Sequence, residues 1–223
     1  KENRKVLNSI NVDALKIISE ECNKKKIRII YPQTFLILDE NISLHDDQSR
    51  NYAPLGAYSR SKLKAEKILT TNVESNLLKI IRFGGFYGGG RKIDKNFVGL
   101  FLNKILPNAK KDNLKSIEIG NRVWQPTWTR DAANAIKLIL NESGNYFQYC
   151  CNDKTSFSNL SKRILDFIGE TKISINEIDS SQIVESAKRP NQIAMKSSKL
   201  FYDHNLVNDF SVSLKHYLKD FYQ

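Results

Sequence analysis

The stretch "IIRFGGFYGGGRK", residues 80–92, places five glycines directly after an apolar run that is typical of a buried strand. A dinucleotide-binding loop needs the spacing Gly-x-Gly-x-x-Gly between a strand and a helix, so that backbone N–H groups can contact a pyrophosphate. Phe86 stands where a Gly-x-Gly that starts at Gly84 would need its second glycine, and Gly88 and Gly90 are followed by no third glycine at the required distance. The stretch therefore lacks the phosphate-loop motif, and a flexible turn after a strand is its simplest interpretation.

Helices and apolar strands alternate on both sides of this stretch. Apolar residues at spacings of three and four predict a helix over residues 5–24, and short runs bounded by breakers predict strands. Further helices are predicted over residues 57–72, 96–105, 129–140, 158–168 and 211–222. Strands are predicted over residues 27–31, 77–83, 116–119, 146–151 and 172–178. The alternation predicts an α/β fold with a parallel sheet and helices on both faces.

Length and composition limit the class of protein. A chain of 223 residues is long enough for one domain, or for one domain with a small lobe. Its hydrophobic content of 40% is ordinary for a soluble protein. No apolar run approaches the roughly 18 residues that span a bilayer, and no leader sequence is recognised, so we expect a cytoplasmic protein without a membrane partner. The net charge of +11 comes from scattered lysines. Scattered charge favours a solvated surface, and binding of nucleic acid is a minor alternative.

The cysteines and the first residue of the sequence lead to two further expectations. Cys150 and Cys151 are adjacent, and the total of three cysteines is odd, which predicts reduced thiols. No metal-ligand spacing occurs, so no metal site is expected. The sequence begins at Lys1 and its one methionine is Met195. We therefore expect that a preceding part of the protein is absent from this sequence.

A tyrosine and a lysine stand four residues apart in "AYSRSK", on the predicted helix over residues 57–72. At this spacing the side chains of Tyr58 and Lys62 lie on one helix face. A phenol has a pKa of about 10, and a nearby ammonium group lowers that pKa because it favours the phenolate. The pair can therefore transfer protons, although Tyr-x-x-x-Lys also arises by chance in lysine-rich chains.

A threonine hydroxyl follows the predicted strand over residues 27–31. Thr34 stands at the carboxyl edge, where open α/β sheets bind their ligands, and it precedes Tyr58 by 24 residues. A strand-end hydroxyl, then Tyr-x-x-x-Lys, then a strand that ends in a glycine-rich turn resembles the extended short-chain dehydrogenase/reductase superfamily. Within it, the order resembles the NAD-dependent epimerase/dehydratase group, which acts on nucleotide sugars.

Four segments are most similar to one branch of this group, the dTDP-4-dehydrorhamnose reductases. They are "PQTFLILD" (32–39), "YSRSKLKAE" (58–66), "QPTWTRDAA" (125–133) and "RPNQIAMKSSKL" (189–200). The resemblance covers nearly the whole chain and implies a Rossmann-like core with a small C-terminal α/β substrate lobe. It implies one truncated unit, 1–223, in which 1–90 form the C-terminal half of the Rossmann core. Residues 91–223 are then mostly the lobe, with some elements returning to the core.

The resemblance also implies catalytic roles. Thr34 is expected to hydrogen-bond the reacting sugar oxygen, and Tyr58 to act as the general acid or base. Lys62 is expected to hold the nicotinamide ribose of NADP or NAD and to tune Tyr58. Asn11 matches a helix asparagine for which a structural or a proton-relay role is suspected.

Binding roles follow from the same resemblance, which places the glycine-rich stretch over the nicotinamide and the sugar. The glycines are expected to permit positive φ and a close approach of backbone to cofactor. Cofactor contacts are expected from Gly84, Gly85 and Phe86. Substrate contacts are expected from Asn96, Phe97, Arg122 and Arg189. The phosphate loop itself is expected upstream, within roughly 60 to 80 residues that precede this sequence.

Two positions depart from the reductase pattern. Trp124 stands where the reductases usually have glycine and many epimerases have arginine, so Arg122, Arg130 and Arg189 are the alternatives for a diphosphate contact. Phe35 stands where the 4,6-dehydratases begin an acidic pair. Dehydration is therefore disfavoured.

These features predict an NAD(P)-dependent enzyme that reduces a 4-keto nucleotide sugar, although this fragment alone is expected to be inactive. A nucleotide-sugar epimerase, or a non-catalytic member that binds a nucleotide or a partner protein, stays open. The resemblance further implies a homodimer through the helices over residues 5–24 and 57–72.

Overall fold

The computed structural model describes residues 2–183 and 187–222. Its α-helices are α1 (Glu2–Asn8), α2 (Ala14–Lys24), α3 (Ala57–Asn72), α4 (Gly90–Ile93), α5 (Phe97–Leu100), α6 (Leu106–Lys111), α7 (Thr129–Ile139), α8 (Phe157–Ile168), α9 (Lys199–Asp203) and α10 (Phe210–Tyr222). Its strands are β1 (Ile29–Thr34), β2 (Leu78–Phe83), β3 (Gly85–Tyr87), β4 (Ser116–Gly120), β5 (Val123–Trp124), β6 (Pro126–Trp128), β7 (Tyr146–Tyr149), β8 (Thr155–Ser156) and β9 (Ser174–Ile178). One π-helical turn, Ser9–Asp13, joins α1 to α2, and another, Phe101–Ile105, joins α5 to α6.

Three parallel strands form the central sheet, in the order β1-β2-β7. The middle strand β2 needs apolar side chains on both faces, because helices cover it on both sides. On one face, Ile80 packs in a cluster with Ala65 and Leu69 of α3. On the other face, Ile81 packs in a cluster with Ala135 of α7. The core is therefore the predicted α/β arrangement with helices on both faces.

One row of side chains across the α3 face of this sheet is polar. The register places Gln33 beside Arg82 and Arg82 beside Gln148, and all three are at most 2% exposed. Arg82 donates to Gln148 Oε1 at 2.8 Å and to the carbonyl oxygens of Asp46 at 3.4 Å and Ser49 at 3.2 Å. A buried cation needs such partners, and here they fix the loop between β1 and α3 onto the sheet.

A second core lies beyond the carboxyl edge of the sheet. It packs α8 and α10 against the parallel pair β4–β9. Leu160 and Ile164 of α8 and Leu214 and Leu218 of α10 are buried there, and each pair is four residues apart, as expected for one helix face. The parallel pair β3–β6 and the antiparallel pair β5–β8 lie beside this core.

The structure confirms the predicted helices and strands but moves several of their boundaries; β1 begins at Ile29, β7 ends at Tyr149 and β9 begins at Ser174. Pro32 does not end β1, which continues to Thr34, because proline is tolerated in a strand at the edge of the described sheet. The helix predicted to end at Ile105 continues to Lys111, because Pro107 falls in the first turn of α6, where its missing N–H is tolerated. The two-residue and three-residue strands and the short helices α4 and α9 were not predicted.

Three negative findings hold for residues 2–183 and 187–222. No helix there combines the length and the hydropathy that crossing a bilayer requires. No cluster of three or more His, Cys, Asp or Glu side chains there could hold a metal ion. The cysteines of that range form no disulfide, and burial raises the pKa of the Cys150 thiol to about 12.

Candidate active site

Thr34 is the last residue of β1, at the carboxyl edge of the sheet, and it pairs with Phe83 of β2. Its side-chain oxygen accepts a hydrogen bond from the N–H of Leu36 at 3.3 Å, which caps the 3-10 turn Phe35–Ile37. This bond uses one lone pair and leaves the hydroxyl hydrogen free to be donated. The half-buried hydroxyl can therefore donate to a ligand oxygen.

Helix α3 begins one residue before Tyr58. Ser59 closes its first turn, because the Ser59 hydroxyl accepts from the N–H of Gly56 and donates to the Gly56 carbonyl, each at 3.1 Å. Tyr58 is 46% exposed, whereas Glu66, two turns later on the same face, is 3% exposed. Tyr58 thus lies at the accessible end of this face, with Lys62 between the two.

The Lys62 ammonium group is directed toward β1. Its Nζ donates to the Pro32 carbonyl at 2.8 Å and lies 4.0 Å from the centre of the Tyr31 ring. Burial raises the pKa of the Tyr58 phenol, and the lowering of that pKa by Lys62 stays a prediction. Burial also lowers the pKa of Lys62 to about 8, against the opposing effect of Glu66. Tyr58 is therefore a protonated phenol at neutral pH, which suits a proton donor.

Asn11 lies in the π-helical turn between α1 and α2. Its side-chain amide donates to the Ser61 hydroxyl at 3.0 Å, and that hydroxyl donates to the Tyr58 carbonyl at 2.7 Å. Asn11 therefore ties the first helix to the turn of α3 that carries Tyr58, which is a structural contact. Its suspected role in a proton relay stays a prediction.

The first two glycines of the stretch over residues 80–92 are required by packing. A Cβ on Gly84 would lie 2.5 Å from the Gln125 carbonyl, and one on Gly85 would lie 2.1 Å from the Trp124 ring. Positive φ is confirmed only for the second group, residues 88–90, with values of 142°, 98° and 68°. The close approach at Gly84 and Gly85 is therefore to the neighbouring strands of this chain.

A cavity of about 620 Å³ opens between the carboxyl edge of the sheet and the second core. Six predicted site residues line it, namely Gly85, Phe86, Asn96, Phe97, Arg122 and Arg189. Thr34, Tyr58, Lys62 and Gly84 are not in its wall, although Phe35, the residue after Thr34, is. The structure thus gathers the predicted binding residues and places the catalytic candidates outside this wall.

Sequence reasoning missed several lining residues, among them Lys95, Glu118 and Phe157. Lys95 precedes Asn96 and adds positive charge to the wall. The prediction of a substrate contact at Asn96 could have drawn attention to it. Phe157 comes 60 residues after Phe97 in the chain, and nothing in the sequence predicts that it lines this cavity. Its ring stacks on Trp124, with centroids 4.8 Å apart, and meets the Phe97 ring edge-on at 4.5 Å. Arg130 lies outside this wall and pairs with Asp220 at 2.8 Å.

The wall therefore combines aromatic rings with three cationic side chains, those of Lys95, Arg122 and Arg189, and one carboxylate, that of Glu118. Aromatic faces bind planar apolar groups, and arginine guanidinium groups bind phosphate oxygens with two parallel hydrogen bonds. A ligand with a planar ring and an anionic phosphate group matches this wall.

The comparisons with known proteins agree with this geometry. The family model described as RmlD substrate binding domain matches residues 1–223. No protein with curated function matches the chain in sequence. A dTDP-4-dehydrorhamnose reductase of Clostridium acetobutylicum has a similar structure, with a TM-score of 0.82 and 19% identity over 98% of this chain and 75% of that chain.

Two further solved structures are similar. The dTDP-4-dehydrorhamnose reductase of Bacillus anthracis in complex with NADP has a TM-score of 0.80 and 16% identity, over 99% of this chain and 75% of that chain. The UDP-glucuronic acid 4-epimerase of Bacillus cereus, in complex with UDP-glucuronic acid and NAD, has a TM-score of 0.72 and 17% identity, over 94% of this chain and 67% of that chain. At identities this low, the similarity in structure establishes a shared Rossmann-like fold and no more. Together with the match over its full length, this places the chain in the family of RmlD substrate binding domains.

Proposed function

We propose that this chain is the substrate-side part of an NAD(P)-dependent reductase of a 4-keto nucleotide sugar. The observation that carries the proposal is the cavity, whose wall joins Gly85 and Phe86 to Phe97, Arg122 and Arg189. Its aromatic rings suit a nucleobase and its cations suit a diphosphate. Family membership and the likeness to two dTDP-4-dehydrorhamnose reductases support the same substrate class.

Thr34 and Tyr58 are the residues that we assign to the reacting oxygen. The Thr34 hydroxyl donates to the 4-keto oxygen and polarises the carbonyl group. The Tyr58 phenol, kept protonated by its raised pKa, donates a proton to that oxygen as negative charge develops on it. A nicotinamide cofactor supplies the hydride when it is bound.

Lys62 fits a role toward the ribose of NADP or NAD. One of its three N–H groups is used by the Pro32 carbonyl, so the other two can donate to hydroxyl groups. Gly84, Gly85 and Phe86 are proposed to face the cofactor at the carboxyl edge of the sheet. The sequence contains no Gly-x-x-Gly-x-x-Gly motif, so we expect this chain alone to bind NAD(P) weakly.

The two cores suggest that catalysis and substrate binding are carried by different parts of the chain. We propose that residues 1–90 carry the catalytic groups as the C-terminal half of the Rossmann core. Residues 91–223 then form mostly the substrate lobe, while α7 and β7 return to the sheet. A cytoplasmic location, where NAD(P)H and nucleotide sugars are available, completes this proposal.

A homodimer through the first helices is also proposed. Val6, Ile10 and Ile17 are 54%, 64% and 65% exposed and lie on α1, the π-helical turn and α2 respectively. Exposed apolar patches favour association. Sedimentation should give a dimer for the natural chain and a monomer for Ile10→Glu with Ile17→Glu. A monomeric natural chain would overturn this assignment.

The test of the proposed activity uses the complete protein, NADPH or NADH, and a dTDP-linked 4-keto sugar. We expect one equivalent of cofactor to be oxidised for each sugar reduced, followed by absorbance at 340 nm. Tyr58→Phe should abolish most turnover, whereas Tyr202→Phe, in a separate surface groove, should not. Conversion of a nucleotide sugar into its epimer without net oxidation of the cofactor would refute the proposed reductase activity and show that the protein is an epimerase.

A further inference from the structure

The turn formed by residues 88–90 has three consecutive positive φ values, which its glycines adopt without steric strain but with a large loss of backbone freedom on folding. Its N–H groups face a buried carboxylate and a buried phenol. The N–H of Gly88 donates to Asp94 Oδ2 at 3.1 Å, and the N–H of Gly90 donates to the Tyr217 hydroxyl at 3.1 Å. Two of the three residues of the turn are thus held by side chains.

Asp94 and Tyr217 are also bonded to each other. The Tyr217 hydroxyl donates to Asp94 Oδ2 at 2.8 Å, and the two residues are 6% and 0% exposed. The other carboxylate oxygen, Oδ1, accepts from the N–H of Asn96 at 3.0 Å. Asp94 therefore receives three donors, which is how a protein stabilises a buried carboxylate without a salt bridge.

These bonds connect the two sides of the cavity. The turn follows Gly85 and Phe86, which line the cavity on the sheet side, whereas Asn96 lines it on the lobe side and begins α5. The Asp94 carboxylate is bonded at one oxygen to the turn and at the other to Asn96. A displacement of this carboxylate would therefore change the distance between the two walls.

The packing around this carboxylate allows little adjustment. A Cβ on Gly90 would lie 2.7 Å from the Phe221 ring of α10, and one on Gly99 would lie 2.1 Å from the Asp94 carbonyl. The Tyr217 ring contacts the Tyr87 ring at a centroid distance of 5.3 Å. The hydrogen-bonded group is therefore enclosed by α10 on one side and α5 on the other.

We propose that Asp94 and Tyr217 are positioning residues, which hold the turn over residues 88–90 and so fix the sheet-side wall of the cavity relative to Asn96 and Phe97. The proposal rests on the proposed function, because the walls are taken to hold cofactor and substrate. Neither side chain lines the cavity, so both act through the residues that they hold.

The first test measures the turn without reference to activity. Tyr217→Phe keeps the buried ring and removes the hydroxyl that bonds Asp94 and Gly90. Asp94→Asn keeps the shape but replaces one acceptor oxygen by an N–H donor. In both variants we expect amide hydrogen exchange in residues 84–96 to become at least tenfold faster, while exchange in β1 is unchanged. Tyr202→Phe is the matched control, and unchanged exchange at residues 84–96 in both variants would overturn the proposal.

The second test separates positioning from stability in the complete enzyme. A misplaced wall should lower kcat about tenfold or more while KM for the sugar changes less than threefold, because alignment is lost and the contacting groups remain. A normal kcat in a variant whose turn exchanges fast would reduce the pair to a structural role and overturn the proposal. A natural protein without turnover would refute the proposed function, and the exchange result would then decide alone whether the pair holds the turn.

Discussion

Replacing Arg82 by methionine should destabilise the protein strongly, because it leaves the buried Gln148 side-chain oxygen without the charged donor that Arg82 supplies. The guanidinium group makes one short hydrogen bond, to Gln148 Oε1 at 2.8 Å, and two longer ones, to the carbonyls of Ser49 and Asp46. Methionine fills a similar volume, so the loss is mainly of these bonds and not of packing.

The size of the effect follows from these distances. A hydrogen bond from a charged donor contributes about 1.5 to 3 kcal/mol, and the bond to Gln148 has the geometry for this range. The bonds at 3.2 and 3.4 Å are weaker and contribute about 1 kcal/mol together. Relief of the cost of burying the cation offsets part of this sum. We therefore expect a net loss of about 1.5 to 3 kcal/mol in the free energy of unfolding.

The assay is urea unfolding of the natural chain, Arg82→Met, Gln148→Leu and the double variant, with the m-value checked for constancy. Because each single change leaves the other partner buried without its bond, the double variant should cost about 1.5 to 3 kcal/mol less than the sum of the single changes. Arg28→Met is the control, since Arg28 makes one exposed bond to the Leu140 carbonyl, and it should cost under about 0.5 kcal/mol. Additivity of the two core changes within about 0.5 kcal/mol would refute the reasoning.

Four further predictions concern the site and its support. In the complete enzyme, Tyr58→Phe should lower kcat by about 10² to 10⁴, and near-normal turnover would show that another group donates the proton. Since the Lys62 pKa is lowered to about 8, its charge is lost as pH rises through 8, so turnover should fall above that pH in the natural enzyme and not in Lys62→Arg. The same depressed pKa means that the unfolded chain binds more protons between about pH 8 and 10.5, so the Lys62 contribution to stability should rise with pH in that window, relative to Lys62→Met in urea titrations. Gly99→Ala should destabilise by about 2 kcal/mol or more, because the new Cβ would lie 2.1 Å from the Asp94 carbonyl; an unchanged melting temperature would contradict this.

Much of the fold was predictable because its signals are local. Helix α3 was predicted with the observed bounds, since no glycine or proline interrupts residues 57–72 and Gly56 precedes them. The strand β2 was predicted within one residue, because Leu78, Ile80, Ile81 and Phe83 give a mainly apolar run, although that run also contains Lys79 and the buried Arg82. Short strands such as β5, with two residues, carry no periodicity and exist through tertiary pairing alone.

The candidate site was predictable only in part. The spacing of Tyr58 and Lys62 placed both on one face of α3, but no spacing reveals that the Lys62 side chain turns toward the Pro32 carbonyl. The sequence also could not show that packing requires glycine at positions 84 and 85, because the atoms that exclude a Cβ belong to residues 124–127, about 40 positions later in the chain. Phe157 joins the wall through long-range stacking, which leaves no trace in local sequence.

The bond between Gly90 and the Tyr217 hydroxyl has a consequence for synthesis of the chain. The two residues are 127 positions apart, so a ribosome that adds 5 to 20 residues per second makes Tyr217 roughly 6 to 25 seconds after Gly90. During that interval the nascent glycine turn is without its anchor and open to proteases and chaperones. A stop codon before residue 217 would therefore release a product that contains every strand of the sheet β1-β2-β7 but lacks the residue that anchors the glycine turn.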